Sequence, residues 1–113
     1  IGATYDMSTA SGTQDITGFG FQPSAVHCLM FINVTDDWCH GFTDFTDNRG
    51  MHSASTTTAV VYGTAAFGLV TTSSDSVRQT ANPVTALADG IRITWVKGNS
   101  PTGTLIQYFI GYK

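Results

Sequence analysis

No stretch of this sequence keeps apolar residues at three- and four-residue spacing long enough to make an amphipathic helix. What recurs is a short β-branched or aromatic run closed by a turn cluster. The runs are Thr4–Ser8, Thr13–Thr17, Val26–Val34, Trp38–Phe45, Ser55–Tyr62, Ala66–Thr72, Ile91–Val96 and Leu105–Tyr112. Between them lie Ser11-Gly12, Thr35-Asp36-Asp37, Asp47-Asn48-Arg49-Gly50, Ala88-Asp89-Gly90 and Gly98–Gly103. Ser73–Asn82 is polar and reads as a loop or an irregular edge. Residues 1–113 therefore read as one all-β domain, an antiparallel β-sandwich, jelly-roll-like, of about eight short strands.

Two runs are informative in detail. Ile91, Ile93 and Trp95 alternate with Arg92 and Thr94, the pattern of a strand with one buried face. Val26, Cys28, Met30 and Ile32 share one face of the strongest run, and His27, Leu29 and Phe31 the other. Apolar residues on both faces predict a strand covered on both sides.

The link between the second and third runs is Gly18-Phe19-Gly20-Phe21-Gln22-Pro23. The glycines permit backbone that a side chain would disfavour. Pro23 fixes its own φ and keeps Gln22 extended. Gly18, Phe19, Gly20, Phe21 and Pro23 are thus predicted to form a corner, with both phenylalanines capping one end of the core.

Composition limits the partners. Charged residues are 12% of the chain, about half the ~25% of an ordinary soluble domain. All eight acids are Asp, the net charge is −3, and the lysines are Lys97 and Lys113. A surface so poor in charge predicts contact with other copies or other proteins. No basic run suggests nucleic acid. No apolar stretch approaches the ~20 residues of a membrane-spanning helix. The start at Ile1 rather than Met reads as missing or cleaved N-terminal sequence.

Constellations with possible chemistry are few. His27-Cys28 and Cys39-His40 mirror each other around a turn, but strand neighbours face opposite ways, which argues against one zinc ion. Cys28 and Cys39 could pair across strands or stay as buried thiols. His40, Asp44, Asp47 and His52 lie close in sequence without the ligand spacing of a calcium loop. No nucleophile elbow or His-Glu-x-x-His motif is present. The expectation is a non-enzymatic protein with no catalytic residues, metal or cofactor. Trp38, Tyr62 and Tyr112 are candidate interface or ligand aromatics.

Two segments carry a resemblance: Ser11-Gly12-Thr13-Gln14-Asp15-Ile16-Thr17-Gly18-Phe19-Gly20-Phe21-Gln22-Pro23-Ser24-Ala25-Val26, and Ala88–Trp95 followed by Ser100-Pro101-Thr102-Gly103-Thr104 and an aromatic last strand. In this order they resemble virion structural proteins and tail-fibre domains of tailed phages. Residues 36–83 add nothing to the likeness. The resemblance implies a location in the virion. Taken with the small size, single domain and charge-poor surface, it leads to the expectation of a capsid decoration or cement protein, a homo-oligomer with the trimer favoured, bound to the major capsid protein. The alternative is a tail-fibre or receptor-binding domain that recognises a host sugar or protein. The uncharged stretches Leu105–Tyr112 and Ser55–Gly68 are the edges such an oligomer would cover.

Overall fold

A computed structural model describes residues 1–33, 37–53, 59–62, 67–71 and 76–113. They form two antiparallel sheets packed face to face, the expected sandwich. The strands are β1 (Gly2–Asp6), β2 (Gly12–Thr17), β3 (Ala25–Ile32), β4 (Trp38–Thr43), β5 (Asn48–Ser53), β6 (Ala59–Tyr62), β7 (Gly68–Thr71), β8 (Arg78–Leu87), β9 (Gly90–Gly98) and β10 (Thr104–Tyr112). One sheet has the order β1-β10-β3-β4-β5-β6 and the other β2-β9-β8-β7. The first two strands pair with the last two in reverse order, the wrapped ribbon of a jelly roll. β3–β6 and β7–β9 then run as meanders.

Two strands arise where the sequence reads as turn and loop. β5 takes up the Asn48-Arg49-Gly50 signal, with Gly50 paired to Gly41 of β4. A Cβ at Gly41 would overlap the Phe67 carbonyl that crosses above it. β8 takes up part of the polar segment because buried positions on it carry Gln79 and Ala81 as well as Val84. Its pairing with β9 breaks between Ala81 and Val84, around Pro83. A polar core position and a proline together hide a strand from any reading of apolar alternation.

The core is built from Ile16, Val26, Met30, Ile32, Phe67, Ile91, Ile93, Trp95, Leu105 and Phe109, among others. Ile91, Ile93 and Trp95 point inward as their alternation predicts. Several polar groups between the sheets hydrogen-bond to each other or to backbone. Gln14 Oε1 accepts from Trp95 Nε1 (3.0 Å), and Gln14 Nε2 donates to Gln107 Oε1 (3.1 Å). The buried Gln79 donates to the carbonyls of Met7 and Thr9, both at 2.9 Å. Tyr5 stacks on Trp95 with ring centroids 4.8 Å apart.

Residues 18–23 carry the chain from the four-stranded sheet to the six-stranded one. Gly18 and Gly20 have φ of 99° and 77°, backbone that side chains rarely adopt. Asp89, in the β8–β9 turn, holds the corner. Its backbone carbonyl accepts from the N–H groups of Gly18 (3.0 Å) and Phe19 (3.3 Å). Its carboxylate accepts from Gly18 (3.1 Å) and Gly20 (2.5 Å). Phe19 lies over Gly111 of β10, where a Cβ would overlap its ring, and so packs against the end of the core. Phe21 is half-buried, edge-on to Phe19 at 6.2 Å, with Lys113 Nζ 5.9 Å above its ring. Pro23 is buried.

Two expectations need correction. Leu105–Tyr112 is no sheet edge: β10 lies between β1 and β3, hydrogen-bonded on both sides. β3 is not covered on both sides, because Leu29 is 46% exposed. The stretch 55–68 falls largely outside the described residues; of it, β6 is the last strand of its sheet.

The corner predicts an order of stabilities. Asp89→Ala removes a charged acceptor from two N–H groups and should cost about 1–2 kcal/mol. Gly20→Val places a β-branched residue at positive φ and should cost about 1–3 kcal/mol, although no atom crowds the site. Phe21→Ala should cost clearly less than the ~3–5 kcal/mol of a fully buried phenylalanine. Urea denaturation of the three variants reads this directly, and an Asp89→Ala protein as stable as the parent would remove Asp89 from its assigned role.

Candidate interaction face

The two outer faces of the sandwich differ in chemistry. On the four-stranded sheet, β2 and β9 turn Thr13, Asp15, Thr17, Arg92, Thr94 and Val96 outward. Asp15 and Arg92 form a two-pronged ion pair at 2.6 and 2.7 Å, and the guanidinium hydrogen bonds hold the Asp15 carboxyl below its usual range. This face is built for water.

The six-stranded sheet has an aromatic and aliphatic outer face. Strand registers set its rows. Ile110, His27, Phe42 and Arg49 lie side by side across β10, β3, β4 and β5. Tyr108, Leu29, His40 and Met51 form the next row, and Ile106, Phe31 and Trp38 the third. Leu29, Phe42, Tyr108, Ile110 and Tyr112 are each 40–60% exposed. Phe31 and Tyr108 stack at 6.0 Å. No carboxylate occurs among the outward residues of β10, β3, β4 and β5; the charged side chain there is Arg49.

At the middle of this face His27 and His40 meet, with ring centroids 4.1 Å apart. They occupy diagonal positions on adjacent strands, since His27 pairs with Phe42 and His40 with Leu29. Shallow hollows of about 210 and 230 Å³ flank the pair. One is lined by Phe42, Arg49 and Met51, the other by Leu29, Tyr108 and Ile110. Partial burial, and then the charge of His40, push the His27 pKa down.

The other candidate groups are dispersed. Cys28 and Cys39 face inward, away from the histidines beside them, as strand geometry requires. Neither is in a disulfide, and burial pushes Cys28 well up from its usual pKa. Cys28 pairs with Gly41 and Cys39 with Met30, so they sit diagonally rather than opposite. His52 is buried on the inner side of the same sheet whose outer side holds His40. Asp44 closes its own turn, accepting from the N–H groups of Thr46 (2.9 Å) and Asp47 (2.6 Å), which lowers its pKa. No cluster of three metal-ligating side chains occurs among the described residues.

The chain matches no family profile, no curated protein and no solved structure. Its function is therefore argued from the face itself. Of the aromatics singled out by sequence, Trp38 is half-buried on this face, its backbone N–H donating to Ser53 Oγ at 2.9 Å. Tyr112 is exposed at the end of β10, and its carbonyl accepts from Ser24. Tyr62 pairs with Gly50 on β6, and its side chain lies outside the description. Gly18, Phe19, Gly20, Phe21 and Pro23 belong to the corner, not to this face. The sequence reading missed Phe42, Tyr108 and Ile110 as surface residues. A signal was present: two apolar faces on one strand mean a second layer or an open apolar face, and period alone does not choose between them.

The histidine pair gives a pH prediction. A histidine whose folded pKa is depressed binds fewer protons than in the unfolded chain between the two values. The neutral ring's contribution to stability is thus present above the unfolded pKa near ~6.5 and is lost as pH falls through the folded value. NMR titration should place His27 below its ordinary midpoint. In His40→Gln the midpoint should rise part of the way, because burial, the larger cause, remains. A His27 midpoint at or above ~6.5 in the parent would contradict this.

Proposed function

We propose that this chain is a non-enzymatic structural protein of a tailed-phage particle, a capsid decoration or cement protein that works by surface association with its own copies and with the major capsid protein. The observation that carries the reading is the asymmetry of the sandwich, with one outer face of the Asp15–Arg92 ion pair, threonines and Val96 and one of exposed Leu29, Phe42, Tyr108 and Ile110. A contiguous apolar face of this size marks an association surface. The phage-like segments at the two ends of the sequence support it further. They meet in space: β2 pairs with β9, β3 with β10, and Asp89 caps the Gly18–Gly20 corner. The resemblance therefore covers one continuous structural unit.

The exposed Tyr108, Tyr112 and Phe42 rings also favour a second reading, a tail-fibre domain that stacks a host sugar on this face. Copy number separates the two. Quantitative mass spectrometry of purified particles of the encoding phage should find the chain at shell-like abundance, hundreds of copies per particle. A few copies per particle would favour the fibre, and absence from particles would overturn both.

A further inference from the structure

We infer that a second copy of this chain covers the outer face of the six-stranded sheet, face to face about a two-fold axis, with the His27–His40 pair in the seam. This names the partner for the face on which the proposed function rests.

Size, charge and symmetry point to a second copy. Aromatic side chains carry about 150–250 Å² each. At 40–60% exposure, the five most open side chains present on the order of 500 Å². The half-buried Phe31, Trp38, Met51 and Ile106 widen the patch. That approaches the ~800 Å² per partner of a stable interface, at the upper end of what a monomer leaves in water.

Two chains of net charge −3 repel each other. The repulsion is least where neither carries a carboxylate: the described outward residues of β10, β3, β4 and β5 have none, and the outward carboxylate of β1, Asp6, lies at the end of that edge strand opposite Thr104. Arg49 stands on β5, to one side of the patch, so a two-fold through the β3 region sets it against the β10 side of its mate rather than against the other Arg49. A single self-complementary patch closes as a pair, whereas a ring needs two different patches that fit each other. The trimer expected of cement proteins as a class would need such a second patch, and the described outer residues of β2 and β9 are mostly polar.

The groups around His27 make the seam sensitive to acid. His40 and Phe42 of β4, Arg49 and Met51 of β5, and Tyr108 and Ile110 of β10 line the hollows beside it, with Leu29 of its own strand. The titratable and charged groups among them are His40, Arg49 and Tyr108, and no carboxylate is present to receive a proton-borne charge. Protonation of His27 at acid pH would put a charge into a closed apolar seam beside Arg49.

Sedimentation velocity on the purified full chain at about 50 µM tests this in the concentration range of moderate interfaces. The expected species at pH 7.5 has twice the chain mass and persists in high salt, since few charges are there to be screened. Ile110→Glu should give a folded monomer, while Val96→Glu on the opposite sheet should leave the pair intact. If Ile110→Glu lowers the melting temperature, Tyr108→Glu takes its place. Between pH 7.5 and 5 the dissociation constant should rise about tenfold for each unit by which the seam lowers a histidine pKa.

A wild-type monomer or a trimer would overturn the proposal, as would a pair that ignores both substitutions or is indifferent to pH. Failure here is distinct from failure of the functional reading. A chain that pairs in solution but is absent from particles loses only the function. A chain abundant in particles but monomeric when purified, with Ile110→Glu incorporated normally, loses only this interface.

Discussion

The cap of Asp89 on the corner at residues 18–23 is the contact on which the two-sheet arrangement turns. The corner ends β2, in one sheet, and begins β3, in the other, so its geometry sets how the sheets lie over each other. Two of its residues need positive φ, and three N–H groups there point at Asp89. A charged acceptor at that spot converts a strained, open turn into a satisfied one. Asp89 is itself held in place because β9, which it precedes, pairs with β2 from Gly90 to Trp95. Turn and pairing therefore specify each other across 71 residues of sequence, the separation of Gly18 and Asp89.

The same architecture explains the low charge content. In an ordinary sandwich each outer face is solvated, and its strands alternate polar with apolar residues. Here β3 and β10 are apolar on both faces. Their inner residues, Val26, Met30, Leu105 and Phe109, make the core. Their outer residues, Leu29, Tyr108 and Ile110, make an open patch. The few charges that remain hold local geometry: Asp15 with Arg92, Asp44 in its turn, Asp89 at the corner.

Polar groups inside the sandwich follow the opposite logic. Gln14, Gln79 and Gln107 would cost stability between the sheets if unpaired. Gln14 and Gln107 answer each other and Trp95, while Gln79 takes two backbone carbonyls from the β1–β2 connection. Such side chains fix which residues must lie opposite, which apolar packing alone does less sharply.

Fold class was legible in the sequence because side-chain period and turn chemistry are local properties: Ile91, Ile93 and Trp95 declare a half-buried strand, and Gly18 to Pro23 declare a corner. β5 and β8 were hidden, because glycine pairing at Gly41 and Gly50 and a glutamine in the core have meaning only beside their partners. The site was legible only in part. His27 and His40 stood out in sequence, yet their contact depends on the diagonal register of β3 and β4. The exposure of Tyr108 and Ile110 depends on the second sheet packing against the opposite face of β10. Sequence alone determined that both faces of the strongest strand, β3, are largely apolar. Only the tertiary structure decided which face is buried, because burial is a relation between layers and one strand carries no record of where the second sheet will lie.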